Sequence, residues 1–230
     1  MKKTLMMGVL PLCLIAAAGA AGAAPSSTPS PDAERAAWRA ATERFRDVNV
    51  ALAEGYMSEP SNTCETATNM GEPAERGAMG IHYVRPDLLG ITAPPNPRVD
   101  GNGTHTDFTR PAILIYEPQA DGSLELVAIE NLVFERAWHA AGNAERPSLH
   151  GKPWERMADD PATPLDEAHG FEPHYDQHVW LYRDNPSGLY AQYNPNVTCR
   201  HHRQQNAGHG GHGGHGAGHA AAPAHDAGRR

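Results

Sequence analysis

Three residues in separate predicted strands carry side chains that together suit a metal ion: His82, Glu130 and His178. In the strand predicted for Leu124–Phe134, Glu130 is the only ionisable residue on a face that otherwise carries apolar side chains. A carboxylate buried without a partner is costly, so we expect Glu130 to be paired, protonated or bound to metal. Two histidines and one carboxylate with open positions form a ligand set that suits zinc or non-haem iron.

Other residues near these positions are candidates for the same site. His174 lies four residues before His178 and is a candidate fourth ligand or a hydrogen-bond partner of a ligand. Tyr83, Tyr175 and Trp180 are candidates for lining the pocket, where a tyrosine could donate a hydrogen bond to a bound ligand.

The spacing of these candidates cannot confirm a metal site, because the predicted ligands come from different strands. Two alternatives stay open. His82 and His178 could be histidines that are hydrogen-bonded in the core, and Glu130 could form an ion pair with an arginine such as Arg85 or Arg110. The metal site also requires the apolar face of the strand at 124–134 to point into the protein interior.

A second kind of metal ligand lies at the end of the sequence. Residues 201–230 are rich in histidine and glycine, of low complexity, and predicted to be disordered. Imidazoles on flexible glycine linkers readily chelate divalent copper, nickel or zinc, although such a tail could also be a passive linker. The repeated histidines are His209, His212, His215 and His219.

The elements that would position the core candidates are mostly strands. A helix is predicted from Pro31, with Ser30 as its N-cap, to Gly55, since apolar residues recur there at helical spacing. Strands are predicted at 78–85, 112–116 and 124–134, and a β-hairpin at 178–193 around a turn at 185–188. Residues 86–111 are predicted to form a long loop. We therefore expect a mainly β (α+β) fold, a small antiparallel barrel or sandwich with one N-terminal amphipathic helix and long loops.

The domain organisation indicates export. Residues 1–24 are predicted to be a signal peptide, 25–30 a linker, 31–200 a single globular domain and 201–230 the tail. No later stretch is apolar and long enough to predict a membrane span. The formal net charge of −8 argues against binding to a nucleic-acid backbone.

Two cysteines remain after removal of the predicted signal peptide. Cys64 and Cys199 are expected to form a disulfide in an oxidising compartment, such as the periplasm or the exterior of the cell. A pair of metal-binding thiolates is the alternative, which export disfavours.

Several motifs resemble those of an uncharacterised family of small secreted bacterial proteins. They are Met79-Gly-Ile-His82-Tyr83, Leu114-Ile-Tyr-Glu-Pro118, His178-Val-Trp-Leu-Tyr182 and the run from Asn185-Pro-Ser-Gly188 to Asn194-Pro-Asn-Val-Thr-Cys199. The resemblance covers roughly residues 55–199 and implies secretion, but no activity. The segment Ala128-Ile-Glu130-Asn131 departs from the family pattern, which commonly has an aromatic residue at the last position.

The sequence thus favours an exported, periplasmic protein that binds a divalent metal ion such as zinc, copper or iron through the tail and a core His/Glu site. One alternative is a metal-dependent enzyme that uses His82, Glu130 and His178 on a small-molecule ligand. Another alternative is a non-catalytic envelope module in which these residues are polar groups satisfied within the core.

Overall fold

The computed structural model describes residues 29–59, 61–93 and 98–203. The predicted signal peptide at 1–24 and the tail histidines from His209 onward lie outside the described residues. The helices are α1 (Pro31–Thr42), α2 (Val48–Ala53), α3 (Pro86–Leu89) and α4 (Glu135–Ala140). The strands are β1 (Met57–Ser58), β2 (Cys64–Thr66), β3 (Ala78–Val84), β4 (Ile91–Ala93), β5 (Asp100–Gly101), β6 (Ile113–Pro118), β7 (Leu124–Phe134), β8 (Ser148–Leu149), β9 (Lys152–Pro153), β10 (Glu155–Met157) and β11 (His174–Val179).

A seven-stranded antiparallel sheet forms the centre of the molecule. Its strands follow the order β1-β3-β6-β7-β11-β10, and β2 also pairs with β3. The sheet is covered on both faces, which gives a sandwich-like arrangement, and the described strands do not close into a barrel. The predicted mainly β fold with an N-terminal helix is confirmed, and the sandwich rather than the barrel is the form it takes.

The long strand β7 contributes buried side chains to both faces of the sheet. One extra residue, Val127, interrupts its pairing with β6, so that Ile115 lies opposite Ala128 and Tyr116 opposite Leu126. This β-bulge places Val127 and Ala128 in the same core cluster, whereas Leu126 packs on the other face. The prediction that every second residue from 124 to 134 lies on one face of the strand is therefore wrong, because the alternation of side chains shifts at the bulge.

The N-terminal segment packs on one face of the sheet, which we call the helix side. Ser30 caps α1 and accepts a hydrogen bond from the amide of Ala33, as the sequence predicts. The predicted continuous helix to Gly55 is wrong, since a 3₁₀ turn follows α1 and a second helix begins after Asp47. Asp47 is extended, and its carboxylate accepts a hydrogen bond from the amide of Asn49. This cap starts α2 in a new direction.

The predicted hairpin at 178–193 is also wrong. The strand begins earlier, at His174, and ends at Val179, while residues 189–193 form no strand. Both edges of β11 are already occupied, one by β7 and the other by β10, so no edge remains for a returning strand. Between the two segments predicted to pair as a hairpin, the described backbone makes one hydrogen bond, from the amide of Trp180 to the carbonyl of Leu189.

The opposite face, which we call the cavity side, is covered by connecting segments. The predicted loop at 86–111 contains α3, β4 and β5, so it is more regular than expected. Val99 in this segment forms a parallel β-bridge with Phe171, and both side chains pack against the sheet. These connections close the cavity side above β3, β6, β7 and β11.

A disulfide joins Cys64 in β2 to Cys199 near the end of the described chain, as predicted. The bond spans 135 residues and fixes the last described segment to the edge of the sheet. Within the described residues, no helix has the length and hydropathy needed to cross a membrane.

Candidate metal centre

The pairing of the strands brings His82, Glu130 and His178 to one face of the sheet. His178 on β11 lies directly opposite Glu130 on β7. His82 on β3 lies opposite Ile115 of β6, and Glu130 lies opposite Ile113 of the same strand. Because Ile113 and Ile115 are two positions apart, His82 and Glu130 share the cavity side and meet diagonally across β6.

The three side chains converge on one carboxylate oxygen. Glu130 Oε2 lies 3.3 Å from His82 Nε2 and 3.5 Å from His178 Nε2. One ligand atom from each residue lies within 4.8 Å of the other two, and all three residues are buried. The group of three that the sequence suggested is therefore assembled in the fold, and it could hold a metal ion.

Two atoms at the point of convergence have no hydrogen-bond partner among the described residues: Glu130 Oε2 and His178 Nε2. A buried polar atom without a partner costs free energy, and a bound cation would satisfy both atoms at once. Among the described residues, Glu130 forms no ion pair with an arginine. Its partners are the two histidines, and Arg85 pairs with Asp87 instead.

Burial sets the protonation of the group. It raises the pKa of Glu130 to about 8, against the opposing effect of His169, and it lowers the pKa of His82 and of His178. The metal-free site at neutral pH thus contains neutral imidazoles and a largely protonated carboxyl group. Neutral imidazoles present the lone pairs that a metal ion requires, while Glu130 must lose its proton when it binds one.

Neighbouring side chains lie against the two histidines. A carboxyl oxygen of Glu59 lies 3.6 Å from His82 Nδ1, beyond hydrogen-bond distance, on the side of the ring away from Glu130. A carboxylate at this nitrogen is the usual means of presenting the other nitrogen to a metal. The Trp180 ring stacks on His178, with ring centroids 6.1 Å apart and an interplanar angle of 14°.

A cavity of about 20 Å³ adjoins the group, which is room for one water molecule or one ion. His82 and Glu130 line it, but His178 does not. The remaining lining side chains are Glu59, Met79, Val84, Ile113, Leu132, His169, Phe171, His174 and Asp176.

The structure places the other predicted site residues in different surroundings. His174 lines the cavity. Tyr83 and Tyr175 do not, because they alternate with the cavity-side residues of their strands and pack on the helix side. There Tyr83 contacts the ring of Tyr116, and the Tyr175 hydroxyl lies 3.0 Å from His139 Nε2. Their assignment to the pocket is therefore corrected.

Sequence reasoning missed Asp176, His169 and Glu59. Asp176 alternates with His174 and His178 along β11, so a strand predicted from 174 would have placed it on the same face. His169 and Glu59 come from segments outside the regular strands, where no periodicity indicates the direction of a side chain.

No protein-family model, curated protein or solved structure matches this chain.

Proposed function

We propose that this is an exported protein that binds a divalent metal ion through His82, Glu130 and His178. The observation that carries the proposal is the convergence of three buried ligand atoms, two of which lack a hydrogen-bond partner among the described residues. Two imidazole nitrogens and one carboxylate oxygen favour zinc or iron, and imidazoles also bind copper.

The size of the adjoining space favours binding over catalysis on an organic substrate. Pockets that take such substrates enclose roughly 300–1,000 Å³, whereas this cavity measures about 20 Å³. Any open position on the ion would admit a ligand about the size of water. An enzyme built on this site would therefore act on a very small molecule.

Export and the tail belong to the proposal as well. The disulfide fits an oxidising compartment outside the cytoplasm. In that compartment the histidines of the tail would capture divalent ions, and the core site would retain one. Membership of the family of small secreted bacterial proteins remains a proposal on the motifs given above.

The test is metal content by elemental mass spectrometry on a mature chain in which the tail histidines from His209 onward cannot contribute. In this tail-silent variant, serine replaces the histidines His209, His212, His215, His219 and His225. We expect at least about one equivalent of zinc, iron or copper per chain after purification from the periplasm. Glu130→Gln in the same background should lose it, because the amide cannot supply the anionic ligand.

The matched control is His105→Gln, which changes a half-buried histidine on a connecting segment outside the site. This variant should keep the metal content of its parent. A tail-silent protein that is folded and stays metal-free, even after incubation with each ion, would overturn the proposal. It would leave a non-catalytic module with polar groups in its core.

A further inference from the structure

We propose that the cavity takes a second divalent cation, held by His169, His174 and Asp176 beside the ion at His82, Glu130 and His178. This inference rests on the proposed function and extends it from a mononuclear to a dinuclear centre. It concerns a set of residues that is separate from the first three ligands but lines the same cavity.

The register of β11 supplies two of the three ligands. His174, Asp176 and His178 occupy alternate positions of this strand and therefore project from the same face. His178 lies opposite Glu130, and Asp176 lies opposite Leu132, two residues further along β7. The Asp176 carboxyl group is thus the next cavity-side group beyond the first site, and it is buried with its Oδ1 unpartnered among the described residues.

The two histidines of the second set differ at Nδ1, and each has Nε2 left for a metal. His174 Nδ1 donates a hydrogen bond of 2.9 Å to the backbone carbonyl of Glu172. His169 Nδ1 lies 3.5 Å from a carboxylate oxygen of Glu65, and neither of its buried ring nitrogens has a hydrogen-bond partner in the described chain. His174 thus has the arrangement that metal-binding histidines adopt, with the second nitrogen directed to a carbonyl, while His169 has an unpartnered Nε2 to offer.

The open space lies on the side of the second set. His169, His174 and Asp176 all line the cavity together with Glu130, whereas His178 of the first set does not. An ion at the convergence of the first three ligands would therefore leave the cavity itself to a second ion. Glu130 borders both positions, and a carboxylate can contribute one oxygen to each of two cations.

The balance of charge points the same way. Four carboxyl groups are buried around the cavity, and their ion-pair partners among the described residues are histidines, not lysine or arginine. Two divalent cations would offset the charges of Glu59, Glu65, Glu130 and Asp176 once all four are ionised. With a single cation, some of these carboxyl groups would have to stay protonated, because an uncompensated buried charge is costly in the interior.

The mixed nitrogen and oxygen ligands suit manganese, iron or zinc, and paired ions about 3.5–4 Å apart in other proteins share an oxygen ligand between them. The oxygen ligand expected between these two cations is the carboxylate of Glu130, since the cavity has room for one ion and leaves none for a further water molecule.

The experiment uses the full mature chain of the tail-silent variant, freed of metal and titrated with Mn²⁺. We expect about two manganese ions per chain and, at saturation, the electron paramagnetic resonance spectrum of an exchange-coupled pair. His169→Gln should bind about one ion and show the spectrum of an isolated Mn²⁺. His105→Gln should behave as its parent does.

The spectrum of the parent tests the proposal without any variant, in case His169→Gln fails to fold. About one manganese ion per chain with the spectrum of an isolated ion would overturn the second cation and leave the proposed function standing. A tail-silent protein that binds no manganese, zinc, iron or copper would overturn both. An exchange-coupled pair that persists in His169→Gln would overturn the assignment of His169.

Discussion

At the scale of single residues, the burial of Glu130 makes the stability of the metal-free protein depend on pH. The folded state raises the pKa of this carboxyl group to about 8, from an ordinary value of 4.5. Its contribution to stability is therefore fully present below about pH 4.5 and is lost as the pH rises through about 8. In the metal-free parent, Glu130 should lower the free energy of unfolding by roughly 2–4 kcal/mol between about pH 5 and pH 8, since one pKa unit corresponds to about 1.4 kcal/mol. In Glu130→Gln this decrease should be absent.

Urea unfolding at several pH values, with a chelator present, measures this difference. Glu59, Asp176 and the histidines titrate in both proteins, so the difference between the two profiles reports Glu130 together with its effect on the pKa of Glu59, His169 and Asp176. The control is Glu125→Gln, which changes a more exposed carboxylate on the same strand and should leave the profile of its parent largely unchanged. Parallel profiles for the parent and Glu130→Gln would show that Glu130 is ionised in the metal-free fold.

The sequence indicated some residues of the site and missed others for a physical reason. Glu130 was recognisable because one charged residue interrupts an apolar face, and His82 and His178 because each falls in a strand pattern. The convergence of these three side chains depends on the order of the strands in the sheet, and the pattern within one strand gives no information about that order. His169 has a positive φ of 53° in a connecting segment, and no local sequence pattern predicts that its side chain lies at the cavity.

At the scale of elements, the strand β7 was predicted with its observed bounds, because a mostly apolar run of eleven residues follows the turn at Gly122. The bulge at Val127 was not predictable, since it depends on how β7 pairs with β6. The returning strand of the predicted hairpin failed for a similar reason. Turn chemistry at 185–188 is compatible with a hairpin, but the edge of β11 is taken by β10.

A close approach between β3 and β6 gives a prediction at this scale. Gly80 lies in β3 with a positive φ of 120°, and a Cβ there would lie 2.7 Å from the carbonyl oxygen of Tyr116 and 2.9 Å from Ile115 Cγ2. Gly80→Ala should therefore strain the backbone and push apart two strands that position His82. We expect a loss of roughly 2–4 kcal/mol in the free energy of unfolding, measured by urea denaturation.

The matched control for this prediction is Gly122→Ala in the turn before β7. Gly122 also has a positive φ, of 89°, but no atom lies within 4 Å of the added Cβ. It should lose only about 1 kcal/mol, from backbone strain without a steric clash. Equal losses in the two variants would mean that β3 and β6 accommodate the extra methyl group.

At the scale of the whole molecule, the two faces of the sheet have different roles. The helix side is closed by the N-terminal helices on an apolar surface, and the cavity side encloses the buried carboxylates and histidines. Composition and periodicity predicted the helix and the mainly β character. The separation of the two faces could not be predicted, because connecting segments of irregular backbone close the cavity side.

The disulfide between Cys64 and Cys199 holds this arrangement together at one edge of the sheet, next to the cavity side. It closes a span of 135 residues, and Glu65, the neighbour of Cys64, contacts His169. The double variant Cys64→Ser with Cys199→Ser should lose roughly 2–5 kcal/mol in free energy of unfolding by urea, since the unfolded chain regains its freedom. Reduction of the parent should lower its midpoint toward that of the variant, while the same reductant should leave the variant unchanged. An unchanged midpoint on full reduction would mean that packing alone fixes this edge.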